Sequence, residues 1–102
     1  MDRLPLLEKF AAERPGEPFP RYGLAMEYKK LGRFAEANST FTALLEAHPG
    51  YIPAYLMAGE TLANSGDVTA AKAVYTRGIA AASAAGDEHA RDEIETALGQ
   101  LE

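Results

Sequence analysis

Apolar residues recur at three- and four-residue intervals along almost the whole chain and nowhere alternate with polar ones. Leu4, Leu7, Phe10 and Ala11 predict a first helix over roughly 2–14, stopped by Arg14-Pro15-Gly16. Pro18-Phe19-Pro20 predicts a short loop. Pro20 suits the first turn of a second helix, where its missing N–H costs nothing. That helix carries Leu24, Ala25, Tyr28 and Leu31 on one face and ends at Gly32. A third spans 34–47 with Phe34, Ala37, Phe41, Leu44 and Leu45 inward, closed by His48-Pro49-Gly50. A fourth starts near Pro53, carries Tyr55, Leu56, Ala58, Gly59 and Leu62, and ends at Ser65-Gly66. Asp67 can cap a fifth, with Val68, Ala71, Val74, Tyr75 and Ile79, which runs into the Ala-rich stretch 80–85. Gly86 and Asp87 separate it from a sixth, whose stripe is Ala90, Ile94, Ala97, Leu98 and Leu101. No β-branched run appears, so no strands are expected. The connections are short, which makes successive helices antiparallel neighbours.

The pattern repeats. Leu24-Ala25-x-x-Tyr28, Gly32, Ala37-x-x-x-Phe41 and Pro49 return 34 residues later. The second copy reads Tyr55-x-x-Ala58-Gly59-x-x-Leu62, Gly66 and Ala71-x-x-x-Tyr75, with Ser83 in the place of Pro49. A two-helix unit of this length cannot bury its apolar face alone and must stack on neighbours. Ala25, Ala37, Ala58, Gly59 and Ala71 are small where helices cross closely. Tyr28, Phe41, Tyr55 and Tyr75 fill the space between pairs, and each is worth ~1.5–3 kcal/mol when buried.

The chain's 102 residues allow one small domain, and the absence of cysteine excludes disulfides and thiolate metal sites. The N-terminus lacks a basic segment followed by a long apolar run, and no stretch suits a membrane span. Cytoplasm is the default location, and no membrane contact is expected. The net charge of −5 argues against nucleic acid, whose phosphates need clustered cations. The charge is also unevenly placed. Residues 1–51 hold seven basic and seven acidic side chains. The excess of acid lies in 87–102, where Asp87, Glu88, Asp92, Glu93, Glu95 and Glu102 face only Arg91. The densest positive cluster is Arg21, Lys29, Lys30 and Arg33.

These residues resemble the tetratricopeptide repeat. That pattern opens its first helix with a large aromatic, then Leu-Gly and Tyr, and places Ala, Phe and a closing Pro on the second. The first copy has Arg21 in the opening aromatic place and Ala25 in that of Gly. The second has Leu62 for Tyr and Ser83 for Pro, so the fifth helix is expected to run long. Leu7, Phe10 and Pro15 fit the second helix of a preceding repeat. The resemblance implies one all-α domain over 1–102, a right-handed α-solenoid of about six helices in antiparallel pairs. Its parts would be an N-terminal half repeat (1–17), two repeats (18–51 and 52–85) and an acidic capping helix (86–102).

It further implies a concave groove lined by the first helix of each repeat, where a peptide or helix of another protein is held. Residues at groove-lining positions are Phe19, Tyr22, Met26, Lys29 and Lys30 in the first repeat. In the second they are Leu56, Glu60, Ala63 and Asn64. Family members that clamp a C-terminal carboxylate use Lys and Asn where Tyr22 and Met26 stand, which argues against that subclass. The expected groove has an apolar centre at Tyr22, Met26 and Leu56 and a basic rim at Lys29 and Lys30. An amphipathic helix or extended peptide with an acidic flank would suit it. The alternative is that Tyr22 and Met26 simply pack beneath a terminal helix.

Catalytic signals are lacking. His48 sits in a loop. His89 and Glu93, beside Asp92, offer only two or three hard ligands on an exposed helix, and the acids there read better as a solvated face. No metal, cofactor or enzymatic activity is expected. Two functions remain open: an adaptor for a partner protein or peptide, and a self-assembling structural protein. In the second, terminal helices would meet to form a two-fold dimer or a head-to-tail oligomer.

Overall fold

The computed structural model describes residues 2–102; Met1, the first residue of the expected half repeat, lies outside the described residues. Six helices follow in order: α1 (Leu4–Glu13), α2 (Pro18–Lys30), α3 (Phe34–Ala47), α4 (Pro53–Asn64), α5 (Val68–Ala85) and α6 (Glu88–Gln100). No strand occurs among the described residues. Connections run from two residues at 86–87 to five at 48–52, so each helix folds back along its predecessor.

The boundaries follow local chemistry. The side chains of Asp67 and Asp87 accept the backbone N–H of Ala70 and Ala90 at 3.1 and 3.0 Å, satisfying donors the helix leaves open. Gly32 and Gly66, 34 residues apart, both take positive φ, at 74° and 92°. α1 starts at Leu4 rather than near residue 2, and the other shifted start is α2. Pro18-Phe19-Pro20 is its first turn rather than a loop, because none of the first N–H groups of a helix has an internal partner to lose. With Ser83 in place of a closing proline, α5 continues to Ala85, 18 residues against 14 in α3. That extension moves α6 on. Its stripe Ala90-Ile94-Ala97 sits 36 residues after Ala54-Ala58-Thr61 of α4, not 34.

The core is the expected one. Ala25, Ala37, Ala58 and Ala71 are buried at the crossings, and Tyr28, Phe41, Tyr55 and Tyr75 are buried between them. Leu24 is buried, while Leu62 is half-buried and Gly32 and Pro49 mark exposed turns. Three expected inward residues are not inside. Leu31 caps α2 from the surface, Val68 opens α5 in solvent, and Phe10 is 41% exposed. The first two lie at helix ends, where the stripe turns away from its neighbour. Phe10 has no helix over it.

The layers differ in how they meet. α4 touches both α2 and α6, whereas α1, α3 and α5 do not touch one another among the described residues. The even helices therefore converge on a concave side and the odd ones splay across a convex side.

Candidate partner-binding groove

Two interlocks set the spacing of α4 and α5. A Cβ on Gly59 would lie 2.2 Å from the ring of Tyr75, and one on Gly78 would lie 2.6 Å from Cβ of Tyr55. Each helix therefore supplies one glycine and one tyrosine, and each glycine is the seat for the other helix's ring. The Tyr55 hydroxyl donates to the carbonyl of Pro49, which fixes the turn leading into α4. These contacts hold α4, and with it the concave wall, at close range to the convex layer.

On the concave side α2, α4 and α6 enclose a hollow of about 310 Å³. Tyr22 lines one wall, Ile52, Leu56 and Met57 another, and Ala90 and Ile94 of α6 the third. Its polar rim comes from α6 and the residue that caps it: Asp87, His89 and Glu93, with His89 Nε2 3.4 Å from a Glu93 oxygen. No group of three or more His, Asp or Glu side chains placed to hold a metal occurs among the described residues.

Tyr22 is both wall and core. Its ring meets Phe41 edge-on at 6.4 Å and Tyr51 at 5.4 Å. Burial, and secondarily Tyr51, push its phenol above the ordinary tyrosine value.

The other expected groove residues divide into four groups. Leu56 lies with Tyr22 in the hollow. Phe19, Met26 and Lys30 lie in a second depression, which shares Tyr22 with the hollow and also holds Arg3, Gly23 and Glu27. Lys29 is not a free rim cation: its Nζ sits 2.7 Å from Glu60 Oε1, so α2 and α4 neutralise each other there. Ala63 and Asn64 end α4 and line neither depression. Both arginines of the positive cluster are also engaged. Arg21 donates to the Ala43 carbonyl, and Arg33 binds both oxygens of Glu36 while lying over the Tyr28 ring.

Sequence reading passed over Ile52, Met57, Ile94 and the acidic pair Asp87 and Glu93. The first two follow from extending the Leu56 face by a turn. The α6 residues were hidden by treating that helix as a cap. Glu27, buried and 2.9 Å from Arg3 Nη2, was also missed, since the ion pair spans 24 residues.

A family model for the tetratricopeptide repeat matches residues 28–91. The chain belongs to the tetratricopeptide repeat family. It is similar to a TPR repeat-containing protein of Pseudomonas aeruginosa, 27% identical over 96 residues, covering 94% of this chain and 91% of that one. Its fold is similar to the solution structure of a tetratricopeptide repeat domain protein from Salinibacter ruber. The TM-score there is 0.81 and the identity 30%, over 86% of this chain and 89% of that one. The solution structure of a protein from Bordetella parapertussis matches at a TM-score of 0.83 and 28% identity, over 99% of this chain and 88% of that one. Tetratricopeptide repeat domains generally mediate protein–protein interaction and are generally non-catalytic scaffolds. No helix among the described residues is long and apolar enough to cross a membrane.

Proposed function

We propose that the chain is an adaptor that holds a peptide or helix of a partner protein in the hollow between α2, α4 and α6. The observation that carries this reading is the hollow itself, with walls of Tyr22, Leu56, Met57 and Ile94 and a rim of Asp87 and Glu93. At about 310 Å³ it is at the small end of ligand cavities, sized for one or two large apolar side chains. With Lys29 neutralised by Glu60, the charge offered at this site is negative. The fitting ligand has an apolar anchor followed by lysine or arginine, so the polarity is the reverse of the acidic flank expected from the sequence.

Selection of displayed random peptides against the chain tests this. Enriched peptides should pair a large apolar residue with a cation. Leu56→Ala should weaken them, and Glu93→Lys should shift enrichment toward acidic flanks. Tyr22→Ala is a poor probe, because Tyr22 also supports Phe41 and Tyr51. Enrichment indifferent to both Leu56 and Glu93 would refute the site.

A further inference from the structure

The two ends of the array are unlike, and internal equivalence shows how. A shift of 34 residues places Leu7 on Phe41, Phe10 on Leu44 and Ala11 on Leu45. Within α3, Phe41, Leu44 and Leu45 are buried, Leu44 completely, where the helix packs between α2 and α4. In α1 no described helix plays the part of α2. Phe10 is 41% exposed, Leu6 55% and the neighbouring Phe19 of α2 70%. Leu7, Phe10, Phe19, Pro20 and Gly23 line a hollow of about 330 Å³ between α1 and α2. It lies where a first helix of a preceding pair would rest, as α2 rests on α3 and α4.

The far end is closed. At the 36-residue offset, Tyr55 and Gly59, which receive α5, correspond to Arg91 and Glu95 of α6. These two approach to 3.3 Å, a charged pair where an apolar seat would be needed. The apolar stripe of α6 is already committed inward, with Ile94 buried. The acidic helix of a second copy therefore has no free apolar face to place in the socket, and head-to-tail growth is not supported.

The socket's surroundings select its occupant. Its charged lining residues, with those of the adjoining depression that shares Phe19 and Gly23, are Arg3, Arg14, Lys30 and Glu27. Glu27 is neutralised by Arg3, and Arg14 lies over the Phe10 ring at 6.0 Å with a loose, exposed pairing to Glu17 at 3.6 Å. Two such cationic sockets would repel across a two-fold axis, whereas acidic residues flanking an apolar stripe would be drawn in. The facing residue is constrained too. In the second repeat the large Tyr55 faces Gly78; the same positions of the first repeat hold Arg21 and Leu44, and Arg21 turns to the Ala43 carbonyl. Phe10 fills the Leu44 place, so the residue opposite must be small or turn aside.

We infer that the α1–α2 socket is a second docking site, distinct from the concave hollow, for a single amphipathic helix of a partner protein with acidic flanks and a small residue facing Phe10. The docked helix supplies the first helix of the pair that α1 ends.

The test uses two capped, fluorescently labelled helical peptides. Both carry glycine in the middle of an apolar stripe with leucine one turn to either side; one has glutamate flanks and the other lysine. Anisotropy with residues 1–102 should show the glutamate peptide binding at least about tenfold more tightly than the lysine peptide, and more weakly as salt rises. Phe10→Glu should abolish binding, as should Phe19→Glu, which alters a side chain 70% exposed and leaves the fold intact. Leu56→Ala should leave it unchanged, which separates this site from the concave one. Three results would overturn the inference: equal affinity for both peptides, binding that survives both substitutions, or a concentration-dependent dimer in sedimentation that Phe10→Glu dissolves. The last would assign the socket to a second copy.

Discussion

Replacing Gly78 with alanine sets two rules of helix energetics against each other. In an exposed helix interior the change stabilises by about 1 kcal/mol, because alanine loses less backbone freedom than glycine. At position 78 the added Cβ would lie 2.6 Å from Cβ and 2.9 Å from Cγ of Tyr55, and 3.1 Å from Cδ1 of Ile94. Cβ of Tyr55 is one bond from its backbone and cannot swing away. To restore the usual ~3.5–4.0 Å carbon–carbon separation, α4 and α5 would have to part by about 1 Å. That movement loosens Tyr75 in its seat on Gly59 as well, so the cost belongs at the upper end of the ~1–3 kcal/mol typical of overpacking. Subtracting the propensity gain leaves a net destabilisation of about 2 kcal/mol. For a domain of this size it lowers the melting temperature by about 8–16 °C. Thermal and urea unfolding followed by circular dichroism would measure it. Gly99→Ala is the matched control: its Cβ would meet nothing within 4 Å, so it should stabilise by about 0.5–1 kcal/mol. A Gly78→Ala protein as stable as the Gly99→Ala one would refute the interlock.

Three further outcomes are expected. Burial holds the phenols of Tyr22, Tyr28 and Tyr75 above the ordinary 10.0, Tyr28 also donating to Glu8 at 2.8 Å. The folded chain keeps these protons more tightly than the unfolded one. Their contribution is thus complete below pH ~10 and lost as pH rises through the folded values, which urea midpoints alongside tyrosinate absorbance would show. Arg3→Ala leaves the Glu27 carboxylate buried without its partner and should cost about 1–3 kcal/mol, with Glu27→Gln in the same chain recovering most of the loss in denaturant melts. Asp67→Ala removes the cap of α5 and should cost about 1 kcal/mol by the same assay, while Asp67→Asn should cost much less.

The helices were legible because their stripes are long and regular, and the paired glycines at 32 and 66 punctuate them. The repeat offset placed Tyr28, Phe41, Tyr55 and Tyr75 in the core for the same reason. What escaped had no local signature. Gly78 corresponds to a leucine in the first repeat, so the repeat pattern gave no hint that a glycine was required. Lys29 and Glu60 are 31 residues apart, and only the approach of α2 to α4 turns an expected rim cation into half of an ion pair. The groove's third wall was hidden because α6 falls two residues out of register, a consequence of Ser83 standing where a proline would have ended α5.

The matched sizes at positions 55 and 78 bear on how such a chain can gain or lose repeats. The two glycine turns, at 32 and 66, share a positive φ and are one place where copies could be joined. A junction there would join the first helix of one repeat to the second helix of the other. Tyr55 would then meet Leu44, two large side chains in one seat, while its reciprocal would set Arg21 against the empty place at Gly78. A junction in the 50–52 connection instead leaves every tyrosine with its own glycine. An exchange that keeps the Tyr55–Gly78 and Tyr75–Gly59 seats intact therefore joins copies in the connection between helix pairs.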